Sequence, residues 1–200
     1  MTSRPRRIVV GLSGGSGPQL GVRLLRVLRK LGGFETHLIV TAGAARCLKL
    51  EMPELALADL EKLADVVHDD RDLAAPVSSG SFLHDGMVII PASMKTVSNV
   101  AYGNSWNLLV RAADVTLKER RTLVVVPRES PLHLGHLRAL TALAEIGAVV
   151  LPPMVAFYTA PRTLDDVVDH VVGKVLDVLR IEHDLAPRWT GPGADQNSAD

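Results

Sequence analysis

The sequence predicts an α/β fold in which helices cover both faces of a mostly parallel sheet. Short runs of valine and isoleucine alternate with longer segments of helical periodicity along nearly the whole chain. The apolar runs are continuous rather than alternating, which is typical of strands that are buried on both faces. Strands that alternate with helices in this way indicate a doubly wound α/β domain.

Five strands and six helices are predicted. The strands cover residues 7–12, 35–41, 86–91, 122–127 and 147–152, and the helices cover 18–32, 43–51, 94–103, 106–120, 132–146 and the segment after Thr163. The last helix has the clearest pattern, because apolar residues recur at every third or fourth position from Leu164 to Leu179. Thr163 followed by Asp166 resembles a capping box, which marks the start of that helix.

Composition narrows the class of protein. The chain has 200 residues, of which 47% are hydrophobic, and this suits a single domain over residues 1–189. The small, polar residues 190–200 are expected to form a disordered tail. Lys plus Arg and Asp plus Glu are balanced at 22 each, which argues against a chain-wide basic surface for nucleic acid or membrane.

Localisation is expected to be cytoplasmic. The sequence has no run of about 18 apolar residues that could cross a membrane. The glycines that begin at Gly11 interrupt the first apolar stretch too early for a signal peptide. Cys47 is the one cysteine, so no disulfide can form within the chain, as suits a reducing compartment.

A glycine-rich turn, GLSGGSG at residues 11–17, joins the first strand to the first helix. Ser13 replaces the middle glycine of a dinucleotide fingerprint, and Gly17 is not followed by the lysine of a triphosphate loop. A smaller anion remains possible, bound by the backbone N–H groups of residues 14–16 and by the Ser16 hydroxyl. The alternative is a tight turn that binds nothing.

The stretch PASMKT at residues 91–96 begins where the strand 86–91 ends. Ligands bind open α/β sheets at such carboxyl ends of strands. Ser93, Lys95 and Thr96 supply two hydroxyls and an ammonium on the first helical turn, which suits a phosphate. The alternative is a serine cap beside a solvated lysine.

Arg128 and Glu129 follow another buried strand, 122–127. Their side chains are expected to point into the ligand crevice, where a guanidinium beside a carboxylate can hold a phosphate and move a proton. The basic run at residues 111–121 is interpreted differently, as a solvated and ion-paired helix face.

Phe157 and Tyr158 lie in a proline-rich loop, residues 152–161. Two readings stay open for this aromatic pair: a wall for an apolar substrate, or a packed plug in the loop. His133 and His136 lack the further ligands that a metal site needs, and are expected to be surface or capping residues.

These stretches, in their order, carry a resemblance to a known family. The segments are GLSGGSG, ETHLIVT, SSGSF, GMVIIPASMKT, NLLVRAADVTLKERRTLVVVPRESPLHLGHL, GAVVLPPMVAFYTAPRTLDDVVDHVVGKVLD and PRW, which extend from about Arg7 to Trp189. Together they resemble the flavin prenyltransferase family of the UbiX/Pad1 type. The combination of RAADVxLKERR with PRExPL and FYxxP is specific, whereas no single segment would be.

The resemblance implies a flavodoxin-like, Rossmann-like three-layer sandwich that forms a homo-oligomer, often a dodecamer, with the active site at a subunit interface. It implies transfer of a dimethylallyl group from dimethylallyl phosphate to N5 and C6 of reduced FMN, without a metal. The product, prenylated FMN, would serve a UbiD-type decarboxylase. Two alternatives are an FMN-dependent cysteine decarboxylase of the same fold and a non-catalytic FMN-binding subunit of a decarboxylase.

The resemblance also implies roles for particular residues. The residues expected to bind FMN are Gly14, Gly15, Ser16, Thr41, Ser93, Met94, Lys95, Thr96 and Arg128. The residues expected to bind substrate are Tyr158, Lys174, Ser79, Gly80, Ser81 and Trp189. Of these, Tyr158 and Lys174 would bind the phosphate of the prenyl donor, the SGS turn would lie near the isoalloxazine, and Trp189 would close the site. The expected catalytic residues are Glu129, Lys118 and Glu51. Two departures from the family pattern bear on the substrate: Lys174 stands where arginine is common, and Trp106 stands where aspartate is common.

Overall fold

Six parallel strands form one sheet in the order β3-β2-β1-β4-β5-β6. The computed structural model describes residues 4–186 and 188. Its strands are β1 (Arg6–Leu12), β2 (Phe34–Val40), β3 (Val66–His68), β4 (Gly86–Ala92), β5 (Leu123–Pro127) and β6 (Val149–Val150). This is the Rossmann strand order, and without the short edge strand β3 it becomes the flavodoxin order.

Helices cover both faces of this sheet. They are α1 (Pro18–Leu31), α2 (Ala42–Glu51), α3 (Leu57–Glu61), α4 (Met94–Ala101), α5 (Leu108–Lys118), α6 (Leu134–Glu145) and α7 (Leu164–Val178), with 3₁₀ turns at Pro76–Ser78 and Phe157–Thr159. One apolar cluster joins the sheet to α1, α2, α3 and α7, and a second joins it to α4, α5 and α6. The predicted three-layer α/β sandwich is therefore confirmed.

The continuous apolar runs are explained by these two clusters. In β1, Ile8 and Val10 face one cluster, whereas Val9 between them faces the other. The strand is therefore buried on both faces from Ile8 to Leu12, and only Arg6 and Arg7 at its start are half-buried. The capping box of α7 is also present, since Thr163 Oγ1 accepts a hydrogen bond from Asp166 N at 3.1 Å and an Asp166 carboxylate oxygen accepts one from Thr163 N at 2.8 Å.

The structure differs from the sequence prediction mainly at the sheet edges. β6 has two residues where six were predicted, because it lies at one edge of the sheet and prolines, which cannot donate to a ladder, follow at 152–153. α3 and β3 were not predicted, and both are too short to show a period.

Within the described ranges no helix is long and apolar enough to span a membrane. Trp189 and the tail 190–200 lie outside the described residues.

Gly21 allows α1 to pack closely against the centre of the sheet. A Cβ atom at this position would lie 2.6 Å from the carbonyl oxygen of Ile90 and 3.0 Å from the Leu12 side chain. The carbonyl belongs to a buried strand and has little freedom to move.

We therefore expect Gly21→Ala to lower the free energy of unfolding by about 1–3 kcal/mol, measured by urea denaturation, because one extra methyl group overpacks this contact. The matched control is Gly135→Ala on α6, where the added Cβ would meet only the exposed side chain of His133. That control should stay within about 1 kcal/mol of the parent. Equal urea midpoints for Gly21→Ala and the parent would contradict the close packing.

Candidate functional site

The centre of the sheet brings three helix N-termini to one crevice. β1 and β4 are neighbours, so the elements that follow them lie side by side at the carboxyl edge of the sheet. α1 follows β1, α4 follows β4, and α2 follows the adjacent strand β2. The partial positive charges of helix N-termini favour an anion at such a place, which is the switch point of the strand order.

Hydrogen bonds tie the glycine-rich turn to the start of α4. Ser13 Oγ accepts a bond from Ser93 N at 2.8 Å. Ser93 Oγ in turn caps α4 by accepting from Thr96 N at 3.4 Å, and it also lies 3.2 Å from Thr96 Oγ1. Two stretches that the sequence proposed separately, the turn and SMKT, are thus held together as one site.

Glycines allow the turn to approach its neighbours at van der Waals distance. A Cβ atom on Gly14 would lie 3.2 Å from the Cα of Gly43, near the start of α2. A Cβ atom on Gly15 would lie 3.4 Å from the backbone of Ala92 at the end of β4. Thr41 caps α2 next to this contact, since its hydroxyl accepts from Ala44 N at 3.2 Å.

Glu51, at the end of α2, anchors the turn. Its carboxylate accepts hydrogen bonds from Gly17 N at 2.8 Å and from Ser16 Oγ at 3.0 Å. The Ser16 hydroxyl, which was predicted to face an anion, donates to Glu51 instead. In this structure the turn therefore offers its exposed backbone at Gly14, rather than this hydroxyl, toward the crevice.

Two cations stand at the same crevice. Arg128 N donates to Ala92 O at 3.0 Å, which fixes the segment after β5 beside the end of β4. Burial and the charge of Glu51 raise the pKa of the Cys47 thiol on α2, and the positive charge of Arg128 opposes that shift. Lys95 Nζ lies 4.3 Å from the centre of the Trp106 ring.

A second group of predicted site residues lies at the opposite edge of the sheet. The SGS turn, Ser79–Ser81, precedes β4, and Lys118 ends α5 just before β5 begins. A Cβ atom on Gly80 would lie 2.8 Å from Lys118 Nζ, so glycine permits the turn to contact this lysine. Lys118 also forms an ion pair with Glu119.

Two arginines in the basic run hold the SGS turn, and this corrects the interpretation of the run as a solvated face. Arg121 donates to the carbonyl oxygens of Gly80 and Phe82, each at 2.8 Å. Arg111 Nε donates to Ser78 O at 3.2 Å. The sequence did not predict these hydrogen bonds, because their acceptors are backbone carbonyls, which no residue pattern marks.

The two edges are separated by the length of β5. Lys118 precedes this strand and Glu129 follows it. The five residues of β5 span roughly 16 Å. Within one copy of the chain, the structure therefore does not bring Lys118 and the SGS turn to the crevice that contains Glu129.

A third group lies on the outer side of α7, in a cavity of about 210 Å³. Its lining includes Tyr158 and Lys174, as the resemblance implied, and also Asp177, His183 and Arg188, which the sequence did not single out. Phe157, next to Tyr158, is 82% exposed, so this aromatic pair is not a packed plug. Trp189, which was predicted to close the site, lies outside the described residues.

His133 is a capping residue, as predicted. It precedes α6, and its Nδ1 accepts a hydrogen bond from His136 N at 3.3 Å. Among residues 4–186 and 188, no three His, Cys, Asp or Glu side chains are grouped so that they could hold a metal ion.

The chain is similar to known proteins over nearly its whole length. A family model described as Flavoprotein matches residues 1–176. Flavin prenyltransferase UbiX of Escherichia coli (strain K12) is 52% identical over 188 residues, which are 93% of this chain and 99% of that protein. The crystal structure of AnUbiX (PadA1) in complex with FMN and dimethylallyl pyrophosphate matches with a TM-score of 0.91 and 44% identity, over 94% of this chain and 99% of that chain. The crystal structure of the dodecameric FMN-dependent UbiX-like decarboxylase from Escherichia coli O157:H7 matches with a TM-score of 0.90 and 48% identity, over 92% of this chain and 100% of that chain.

His84 lies buried beneath the SGS turn and gives this edge of the sheet a pH dependence. Burial, with a smaller effect from the Arg121 charge, lowers its pKa from 6.5 to about 4. Between these two pH values the unfolded chain binds a proton that the folded chain does not. The stability of the fold must therefore decrease as the pH falls through that range.

We expect the free energy of unfolding to fall by on the order of 3 kcal/mol from this group between pH 7 and pH 4. In His84→Gln the decrease should be smaller by that amount, as measured by urea denaturation at several pH values. Parallel pH curves for the variant and the parent would show that His84 does not carry the effect.

Proposed function

The chain belongs to the flavin prenyltransferase family, and we propose that it transfers a dimethylallyl group from dimethylallyl phosphate to N5 and C6 of reduced FMN. The observation that carries this proposal is the crevice at the switch point. There the glycine-rich turn, the SMKT segment and Arg128 meet in a chain that is about half identical to named flavin prenyltransferases. The product, prenylated FMN, would serve a UbiD-type decarboxylase.

The crevice suits the phosphate of a mononucleotide. Three helix N-termini point toward it, and the close glycine contacts leave the backbone of Gly14 exposed. Lys95 and Arg128 supply positive charge, and Ser93 and Thr96 supply hydroxyls. Gly15 and Ser16 lie in the same turn, Thr41 caps α2 beside it, and Met94 follows Ser93, which supports the proposal that these segments bind FMN. When it is bound and reduced, FMN supplies the nucleophilic atoms to which the prenyl group becomes attached.

Dimethylallyl phosphate ionises more readily when its phosphate oxygens are neutralised. The groups proposed for this are Lys118, Lys174, Arg128 and the Tyr158 hydroxyl, which together offer three positive charges and a neutral donor. As the carbon–oxygen bond breaks, its electron pair moves to the phosphate oxygen, and these groups stabilise the charge that develops there. Apolar and aromatic side chains shield the allylic cation from water.

Glu129 is proposed to handle the proton of the reaction. It follows Arg128 just after the carboxyl end of β5, where its side chain is exposed and accepts a hydrogen bond from Ser130 N at 3.1 Å. A carboxylate oxygen of Glu129 can accept a proton at the flavin and return it to the leaving phosphate. Glu51, by contrast, is proposed to act through the turn that it anchors rather than on the reacting atoms.

We propose that the complete site combines residues from different copies of the chain in a homo-oligomer, a dodecamer like the Escherichia coli O157:H7 structure. Lys118 and the SGS turn lie across the sheet from Glu129, so one copy alone does not assemble the predicted set. The chain also exposes large apolar side chains near α7, with Met154 72% and Leu164 70% accessible, as suits surfaces that meet another copy.

The cysteine decarboxylase and the non-catalytic subunit remain the alternatives, and both lack support. Two curated relatives at 52% identity, from Escherichia coli (strain K12) and Thauera aromatica, are named flavin prenyltransferases. A binding subunit would have no need of Glu129, Tyr158 and Lys174 together. We propose a cytoplasmic location, which is supported by the single cysteine and the balanced charge.

The reaction is tested by incubating the protein anaerobically with reduced FMN and dimethylallyl phosphate and by recording the mass spectrum of the flavin. A gain of one prenyl unit is expected. Glu129→Gln should retain FMN but slow prenyl transfer by about 100-fold or more, because it removes the proton acceptor. Glu145→Gln, at the exposed end of α6, is the matched control and should behave as the parent. Unchanged flavin with the parent protein, with either the phosphate or the pyrophosphate donor, would refute the function.

The shared site predicts complementation between two inactive variants. Lys118→Ala and Glu129→Gln should each be inactive alone. Mixed oligomers made by co-expression should regain activity, with about a quarter of the sites intact if each site draws these two residues from different copies. Mixed oligomers that are confirmed by native mass spectrometry but remain inactive would show that both residues act from the same copy.

A further inference from the structure

The Asp177 carboxylate contacts three nitrogen-bearing side chains on the outer side of α7. One of its carboxylate oxygens lies 3.2 Å from Lys174 Nζ, and the other lies 3.1 Å from His183 Nε2 and 2.7 Å from a terminal nitrogen of Arg188. All four side chains line the same cavity as Tyr158. The resemblance gave a role to Lys174 and Tyr158, but none to Asp177 or Arg188.

The cavity carries a net positive charge. His183 Nδ1 accepts a hydrogen bond from Leu185 N at 3.2 Å, and its Nε2 lies 3.1 Å from the Asp177 carboxylate and 3.4 Å from a terminal nitrogen of Arg188. Burial tends to raise the pKa of Asp177, but the hydrogen bonds from Arg188, Lys174 and His183 outweigh it and lower that pKa. One carboxylate therefore faces two cations, and one positive charge remains for an anion.

These ion pairs contribute little to stability. The Arg188 side chain is 60% exposed and that of Lys174 is 54% exposed. Exposed pairs of this kind contribute about 0–1 kcal/mol, because water screens the charges and the long side chains lose entropy. The His183 side chain, in contrast, is 3% exposed and packs over Gly173, where a Cβ atom would lie 2.9 Å from the ring. In this cluster the His183 ring is buried and fixed, whereas the two cations, Lys174 and Arg188, are accessible.

We propose that Arg188 is a second phosphate-binding cation of the prenyl-donor site, and that Asp177 positions it beside Lys174. The inference rests on the proposed function, since the ligand is the phosphate of dimethylallyl phosphate. Lys174 supplies one ammonium and lacks the planar fork of an arginine. One terminal nitrogen of Arg188 is held at the other oxygen of the same carboxylate and the second lies 3.4 Å from His183 Nε2, and the remaining N–H groups of the guanidinium are donors for a phosphate in the same cavity.

The first test is equilibrium binding. Dimethylallyl phosphate is titrated into the full-length protein by calorimetry, with inorganic phosphate and dimethylallyl alcohol in separate titrations. Arg188→Gln should raise the dissociation constant of dimethylallyl phosphate about 10- to 100-fold, as expected for a charge-assisted hydrogen bond, and Arg188→Lys should restore part of the loss. The dissociation constant of FMN should not change. Arg71→Gln, which removes an exposed arginine from the Asp69 pair far from this cavity, is the control.

The second test isolates the role of Asp177. If Asp177 positions Arg188, the loss caused by Arg188→Gln should be smaller in an Asp177→Asn background than in the parent, because the guanidinium is already released there. The control is Asp59→Asn, which breaks the Asp59–Lys62 pair; this pair has the same i, i+3 spacing as Lys174–Asp177. In the Asp59→Asn background, Arg188→Gln should weaken binding as much as it does in the parent. Equal losses in the parent and in Asp177→Asn would overturn the positioning role.

The two proposals fail in different ways. If the parent protein prenylates FMN and Arg188→Gln keeps the same KM for dimethylallyl phosphate, Arg188 does not bind the phosphate, and the proposed function stands. A rise in KM with an unchanged kcat supports the inference. If the parent neither binds dimethylallyl phosphate nor transfers its prenyl group, the function fails and this inference fails with it.

Discussion

The pairing of β1 with β4 determines where this protein can bind a ligand. The two strands are far apart in sequence but adjacent in the sheet. From β1 the chain continues toward one edge of the sheet, and from β4 it continues toward the other edge. Each strand delivers a helix N-terminus to the same crevice, and the hydrogen bond between Ser13 and Ser93 joins the two connections. The close contact of Gly15 with Ala92 depends on this adjacency, whereas the contact of Gly14 with Gly43 and the anchor at Glu51 depend on the pairing of β1 with β2.

A parallel sheet also imposes a separation. Every strand begins at one edge and ends at the other, so residues before a strand and residues after it cannot meet within one copy. Lys118 and Glu129 flank the same short strand and are therefore kept apart by the rule that brings the phosphate-binding segments together. The proposed site uses residues from both edges, and it can do so when a second copy presents its opposite edge. In that proposal, assembly is a condition of the chemistry.

The sequence predicted the central part of the fold well. Continuous apolar runs located five of the six strands, and the period of α7 together with its capping residues located that helix to within a residue. The edge strand β3 escaped because three residues cannot show a period, and β6 was overestimated because its apolar run continues where pairing has ended.

For the site, residue types at strand ends identified the crevice, since the topology places all carboxyl ends together. Contacts that depend on tertiary geometry were not predictable. The hydrogen bonds of Arg111 and Arg121 go to backbone carbonyls, and the link from Asp177 to Arg188 joins a helix to the segment after it.

The anchoring role of Glu51 has a further consequence for the glycine-rich turn. Its carboxylate holds the turn through two hydrogen bonds, so the conformational entropy of that turn is lost when the chain folds. A change at Glu51 should therefore alter the order of the glycine-rich turn and the stability of α2 together.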